Sequence, residues 1–353
     1  MKTMVKYLGV AVLVLCTVAS ASDQRIAALG GDAGFWPDDD QNIYIFPATI
    51  NNFNIAQFSG VGLDTSGNSS DNHSAFVLWG NDTKYGFSWD ETGTNDMVTL
   101  LWGNGSMGLI VGLSSSASDP GSEGSVATSS MGFNVAWGSN MGFGEVGVGF
   151  NNASYDDGDS ETKNDPSSMG FWVNLRRPQS LWIFDNMLVG FGYSSNNSDD
   201  GMAGNKDAET AMGLGVSLFS SLDIAEGTTG LIALGFGYST VSNVGYNSDN
   251  SWTGIYLPAF TFAVESAMTD WATARVGLNQ SYALSSSTTT LDVTSTNRGG
   301  AGTSFAFGLG FNYGSFNLDI DVTEGLFANP VNYITGNNLI SPLGSTATMT
   351  YTW

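Results

Sequence analysis

The sequence is poor in the residues on which most enzymes and nucleic-acid-binding proteins depend. It has one cysteine, one histidine and 10 lysine and arginine residues, against 33 aspartates and glutamates. The histidine, His73, lies in a stretch rich in serine, asparagine and aspartate, which is typical of a solvated loop residue and not of a general base. The formal net charge of -23 repels nucleic acid. We therefore predict no enzymatic activity, no nucleic-acid partner, no cofactor and no specific metal site.

Long apolar runs are absent except at the start of the chain. A positively charged start precedes an apolar run from Leu8 to Val18, and small residues follow up to Ala21. This pattern predicts a signal peptide over residues 1–21, exported by a Sec-type route and cleaved near Ala21. Cleavage removes Cys16 and two lysines, so the mature chain has no disulfide and a charge of 8 - 33 = -25. No later segment is long enough for a membrane helix, so insertion into a membrane requires strands.

Glycine is abundant, at 46 positions, and the chain alternates between bulky and small residues from about residue 53 to its end. In residues 131–137 (MGFNVAW), bulky apolar residues alternate with glycine, asparagine and alanine. A soluble β-sandwich also alternates, but its polar face carries many lysines and glutamates. Here that face is mostly Gly, Ser, Thr and Asn, which suits an enclosed lumen. We predict an all-β fold, a transmembrane antiparallel barrel with its bulky face toward lipid.

The connections between these strands alternate in length, which predicts how the barrel is oriented. Long polar loops alternate with tight turns, predicted for instance at residues 80–82, 103–105, 138–140, 177–180 and 266–269. In outer-membrane barrels the long loops face outward and the tight turns face the periplasm. The pattern predicts 16 strands with both termini in the periplasm. Merging the weak pair around residues 75–89 with a neighbour gives 14 as the alternative.

Charged residues within the predicted strands, except Asp185, fall on the small, polar face, which predicts a charged lumen. Arginines and acids on that face are expected to face each other across a pore and to sort solutes by charge. Internal ion pairing is the alternative. Because acids outnumber bases there, we predict cation preference. The pore-lining candidates are Lys84, Asp90, Glu145, Asn174, Arg176, Glu265, Arg275, Asn279, Asp319 and Asp321.

Tryptophans at strand ends predict the inner edge of the membrane. Trp79, Trp102 and Trp137 are each followed by glycine and then asparagine or serine, which indicates an indole at the lipid boundary before a hairpin turn. Together with Trp353 they form the predicted periplasmic aromatic belt. The last nine residues, STATMTYTW, resemble the C-terminal signature that the barrel-insertion machinery of the outer membrane reads. The expected partners are that machinery, outer-membrane lipid and lipopolysaccharide, with a homotrimer as a candidate assembly.

Residues 22–52 do not follow the strand pattern and are assigned to an N-terminal leader before a barrel over residues 53–353. The leader combines a Gly-Gly step, an acidic run at Asp38–Asp40 and the sequence FPATIN. It resembles the leader of the FadL-like outer-membrane transport family, and residues 257–278 and 308–322 are similar to the closing strands of that group. The resemblance implies that the leader plugs the barrel. Three functions are kept: a cation-preferring diffusion channel of a Gram-negative outer membrane, a FadL-like transporter of hydrophobic compounds, and a surface structural or adhesive protein.

Overall fold

The structure is a computed structural model, and it describes most of the chain after the predicted signal peptide. The described residues are 22–63, 73–90, 97–118, 121, 127–156, 158, 166–199, 206–244, 250–290, 293–323 and 344–353. The predicted signal peptide lies outside them and stays a prediction. None of the helices in these ranges is long and apolar enough to cross a membrane.

Almost all of the described chain after residue 54 is strand. The strands, numbered in chain order, are β1 Ile55–Leu63, β2 Ser74–Gly80, β3 Thr83–Asp90, β4 Met97–Asn104, β5 Met107–Ser118, β6 Thr128–Met141, β7 Gly144–Asp156, β8 Ser167–Leu181, β9 Phe184–Asp199, β10 Lys206–Ala225, β11 Thr228–Val244, β12 Asn250–Thr269, β13 Ala272–Thr290, β14 Val293–Asn297, β15 Gly300–Tyr313, β16 Phe316–Thr323 and β17 Gly344–Thr352. The pairings of these strands are antiparallel.

The strands form one closed sheet. Each pairs with its neighbours in sequence, and β1 pairs with both β2 and β17, which closes the ring. The short β14 and the longer β15 pair with successive parts of β13 and so occupy a single position in the barrel. The barrel therefore has 16 strand positions, as predicted, and the alternative of 14 is wrong because β2 and β3 are separate strands.

One end of the barrel carries the tight turns. In the described residues, seven hairpins, each made of two strands that pair with each other, have connections of only two residues, at 81–82, 105–106, 142–143, 182–183, 226–227, 270–271 and 314–315. The first residue of β1 and the last residue of β17 pair with each other at this same end. We call it the turn end, and the opposite end the loop end. That the turn end faces the periplasm remains a prediction.

Three predicted turns are misplaced, and the one predicted at residues 266–269 follows later, at residues 270–271. Residues 138–140 lie inside β6 because Asn140 still pairs with Glu145, and the turn follows at residues 142–143. Residues 177–180 likewise belong to β8, whose turn lies at residues 182–183. Small polar residues near the turn end had suggested earlier turns, but backbone pairing continues through them. Trp137 therefore does not close its strand.

The predicted tryptophans nevertheless lie at one level near the turn end. Trp79 pairs with Tyr85, Tyr85 with Trp102, Trp102 with Leu109 and Leu109 with Trp137, which makes one row across five strands. Such a row of amphipathic rings is typical of a lipid–water boundary.

Bulky apolar residues also cover the outer face above that row. Trp353 follows the last strand residue and is half-exposed beside Tyr351. Exposed apolar side chains of the outer face include Phe58, Leu100, Leu113, Met131, Phe133, Phe150, Met169, Phe171, Met212 and Leu214. A face of this kind is unfavourable in water.

Residues 22–54 contain only short helices. They are an α-helix at Asp23–Ala28, capped by the Ser22 hydroxyl, and 3₁₀ helices at Ala33–Phe35, Asp40–Tyr44 and Pro47–Asn52. Carboxylates of Asp32 and Asp39 accept hydrogen bonds from the first turns of two of them. Helices this short are not stable alone in water, so packing against the barrel must hold this leader in place.

Candidate functional site

The leader lies against the inner face of the barrel in its turn-end half. Inward-facing glycines allow the leader backbone to touch the wall. A Cβ on Gly108 would collide with the Pro47 carbonyl oxygen, one on Gly147 with that of Ile45, and one on Gly277 with the Leu29 backbone. Glycine is required at these positions because any side chain would occupy the place of the leader.

Two apolar clusters join the leader to inward residues of the barrel. In the first, Phe35 packs on Phe219, with ring centroids 5.2 Å apart, beside the fully buried Leu231. In the second, Ile43 and Ile50 pack among inward residues of β1, β2, β4 and β5. At about 25 cal/mol per Å² of buried apolar surface, these contacts supply a large part of the leader's attachment.

Buried ion pairs form a third contact, which we call the Arg25 network: Arg25, Asp39, Glu265, Arg275 and Asp319. Arg25 donates from Nη1 to Asp39 at 2.5 Å, and from Nε and Nη2 to Glu265 at 2.9 and 3.2 Å. Arg275 donates to the same Glu265 oxygen and to Asp319, both at 2.6 Å. The network thus ties the leader to β12, β13 and β16. A bidentate guanidinium–carboxylate pair adds directional specificity to charge attraction.

A second arginine from the wall reaches the leader on the other side. Arg176 of β8 donates to Glu145 at 2.6 Å, to the Gly34 carbonyl oxygen at 3.0 Å and to Asn42 Oδ1 at 2.7 Å. Its guanidinium carbon lies 4.5 Å from the centroid of the Phe46 ring. Arg176 therefore contacts the leader at two separate points, the Gly34 backbone and the Asn42 side chain.

The predicted opposition of charges across a pore is wrong. Glu145 is the direct cross-strand neighbour of Arg176, and Glu265 that of Arg275. These acids and bases pair along the wall, and the leader fills the space between the two sides. Internal ion pairing, the alternative considered from the sequence, describes their arrangement.

The remaining pore-lining candidates are also on the inner face, and most of them contact the leader or their neighbours. Lys84 donates to Asn54 at 2.9 Å, and Asn279 donates to the Gly30 carbonyl oxygen at 2.8 Å. Asp90 accepts from Ser88 at 2.9 Å, and Asp321 accepts from Thr346. Asn174 lies beside Gly190.

Arg25, Asp39 and Asp40 were missed as site residues by the reasoning from sequence. A signal was present, because Arg25 is one of the few bases of the mature chain and the leader also holds an acidic run. Pairing of that base with acids in the leader and the barrel would have been a reasonable expectation. The inward apolar residues Leu101 and Phe219 were also missed, since the inner face was taken as polar throughout.

The two adjacent carboxylates of the leader have different surroundings. Burial raises the pKa of Asp39 to about 6, although the attraction of Arg25 lowers it in part. Asp40 has its pKa raised well above its ordinary value, first by burial and then by the negative charges of Asp39, Asp23 and Asp319. Only one Asp40 oxygen has a donor among the described residues, from Gln57 at 3.2 Å. Asp40 is thus the less favourably surrounded of the two carboxylates.

Replacing Gly108 with alanine should loosen the leader without harming the barrel. The new Cβ would overlap the Pro47 carbonyl oxygen, a backbone atom that has little freedom to move. Overpacking of this kind costs about 1–3 kcal/mol. Hydrogen exchange should show faster opening of residues 47–52, with the strands unchanged. Gly302→Ala is the matched control, because its Cβ would meet the nearest atom at 3.6 Å; equal exchange in both variants would contradict the prediction.

No protein-family model and no curated protein matches the chain. Among solved structures it is similar to a FadL homologue from Pseudomonas aeruginosa, with 14% identity over 95% of this chain and 99% of that one and a TM-score of 0.43. It is also similar to the toluene transporter TodX from Pseudomonas putida, with 8% identity over 94% and 96% of the two chains and a TM-score of 0.37.

A third match is the siderophore receptor PirA from Acinetobacter baumannii, with 8% identity over 77% of this chain and a TM-score of 0.36. The chain spans 62% of the length of that receptor. The matches thus include a FadL homologue, the group that the leader and the closing strands resemble, and a longer receptor.

Proposed function

We propose that this protein is an outer-membrane transport barrel whose leader closes the lumen and must move before solutes pass. The observation that carries the proposal is the attachment of the leader to the inner wall through the Arg25 network. A passive filler would need only apolar contacts, whereas buried ion pairs are costly to form and stabilise one arrangement only when complete. The apolar outer face and the aromatic row support a membrane location.

This proposal favours a plugged transporter over the open diffusion channel that the sequence had suggested first. The leader contacts β13, β15, β16 and β17 through its α-helix and β3 to β7 through its last 3₁₀ helix. It therefore reaches opposite sides of the ring. A surface structural or adhesive protein would not need a leader that spans the lumen in this way.

Conductance of the refolded protein in a planar bilayer tests the proposal. The intact chain is expected to give almost no current, and a chain lacking residues 22–52 is expected to give steady, large currents. Equal currents from the two proteins would contradict a closing role. Because the deleted chain has lost the partners of buried charges, its insertion should be checked by its resistance to unfolding in detergent.

A full-length variant tests the same point without deletion. Cysteines at positions 34 and 188 are chosen to cross-link the leader to β9, because the two positions are in direct contact: a Cβ on Gly34 would lie 2.7 Å from Leu188 Cδ2. In a Gly108→Ala protein with this pair, current is expected after reduction and should vanish on oxidation. The mature chain is expected to have no other cysteine. Equal currents from the reduced and the oxidised protein would count against movement of the leader.

The open barrel should prefer cations. Lys84, Arg176 and Arg275 are buried on the inner face, and each is held by the carbonyl, amide or carboxylate contacts described above. Asp90 and Glu209 lie on the same face, and no described base pairs with either. The negative potential of unpaired acids attracts cations into a narrow lumen. Reversal potentials across a salt gradient should show this preference, and Glu209→Gln should reduce it; anion preference would contradict the prediction.

A further inference from the structure

The loop-end half of the lumen is not filled by the leader, and it contains a cavity of about 450 Å³ on the inner side of β7 to β11. Its inward lining combines the polar residues Asn151, Ser194 and Ser239 with Trp172, Ala211 and Val241. A second cavity, of about 520 Å³, is lined by Ser114, Ser168, Asn196, Glu209 and Asn243. No leader residue lines either cavity.

The two cavities follow each other along the same strands. Ser194 of the first is two residues from Asn196 of the second on β9, so both side chains point inward at successive levels. Val241 and Asn243 repeat this relation on β11. The cavities therefore form one passage, which runs from the loop end toward the leader.

Trp172 provides a flat apolar surface in this passage. A Cβ on Gly149 would fall among the atoms of the indole, so the ring lies flat against the glycine on the neighbouring strand. Its other side borders the cavity. A ring held in this way presents one π-face to a solute, with little loss of side-chain freedom on binding.

A glycine widens the passage beside this ring. A Cβ on Gly192, in the lining of the first cavity, would meet no atom of the described residues within 4 Å. Contact with the leader explains why Gly108 and Gly277 are glycines. Gly192 has no such neighbour among the described residues, and the lack of a side chain there leaves room for a solute.

We infer that this passage binds a neutral, hydroxylated ring solute, that is, a sugar or short oligosaccharide. Serine hydroxyls and asparagine amides can each donate and accept, which matches sugar hydroxyls. The Trp172 face suits the apolar side of a pyranose ring. A passage for hydrophobic compounds would have few such groups. A cation site would need only acceptors, and Glu209 is the sole carboxylate among the described residues of the two linings. The inference rests on the proposed function, because it names the solute that is transported.

Calorimetric titration of the intact, refolded chain tests the inference. The detergent should be an ethylene glycol ether, since sugar-based detergents would compete. Maltotriose is expected to bind, while choline and toluene are not. Trp172→Leu should weaken maltotriose binding by roughly tenfold. Gly149→Ala should have a similar effect, because it lifts the indole from the wall while keeping the tryptophan. Trp89→Leu, which changes an outward-facing tryptophan, is the control and should leave binding unchanged.

Three outcomes would overturn the inference: no binding of maltotriose, binding of choline or toluene in its place, and equal affinity in the Trp172→Leu protein. The test is independent of the closing role of the leader, because it uses the closed protein. Maltotriose binding without a leader-dependent current would keep the site and reject the transport proposal. A leader-dependent current without maltotriose binding would reject the site and keep the transport proposal.

Discussion

Arg25→Met is expected to detach the leader from the barrel wall. The substitution keeps most of the side-chain volume but leaves Asp39, which is 0% exposed, without its ion-pair partner, and it removes two hydrogen bonds to Glu265. Breaking a buried pair by removing one partner costs about 3–5 kcal/mol. Amide exchange in residues 23–52 should therefore become faster by roughly 10² to 10⁴. A current should also appear in the bilayer.

The control for this result is Arg298→Met, which removes an exposed arginine near the loop end. It should change neither exchange nor current. A double variant, Arg25→Met with Asp39→Asn, should recover part of the loss, because it no longer leaves a carboxylate buried without a cation. Additive losses in the double variant would show that Arg25 and Asp39 do not act as a pair.

The fold was predictable because its signals are local. Alternation of bulky and small residues has the period of a strand, and it needs no knowledge of partners to be read. Turn residues then divide the chain into strands, and closure follows from the need to satisfy every edge in a membrane. Even misplaced turns left the strand count intact, since a shift of a few residues does not merge two strands.

The site was less predictable because its contacts depend on register and on distant segments. A turn at residues 266–269 would have separated Glu265 from Arg275, but the observed turn at residues 270–271 makes them direct neighbours. Glu145 and Arg176 are joined by a long loop, whose length does not determine register. The contact of Arg25 with Glu265 spans 240 positions of sequence. The polar face could be identified from alternation, but not which of its charges pair.

Asp39 and Asp40 permit a test in which adjacent carboxylates give opposite results. At a pH where Asp40 is ionised, Asp40→Asn should tighten the leader, because it removes a buried charge that has other carboxylates around it and one oxygen without a donor among the described residues. An unsatisfied buried polar group costs about 1–3 kcal/mol, and more when charged. Asp39→Asn should loosen the leader, because the two Asp39 oxygens accept from Arg25 and from the Gln41 backbone N–H, and an amide, unlike a protonated carboxyl, has only one oxygen to accept with. Slower exchange in the first variant and faster exchange in the second are the expected results.

The same carboxylates make attachment of the leader depend on pH, in a direction fixed by their pKa shifts. The pKa of Asp39 is raised to about 6 and that of Asp40 well above its ordinary value, both chiefly by burial. The attached state therefore binds protons more tightly than the released state, where the ordinary values near 4 apply. Between pH 5 and pH 8, attachment therefore weakens as the pH rises through these raised values. Exchange of residues 23–52, corrected for intrinsic rates, should be slower at pH 5 than at pH 8. In Asp40→Asn this difference should shrink, and an unchanged difference would assign the pH dependence to other groups.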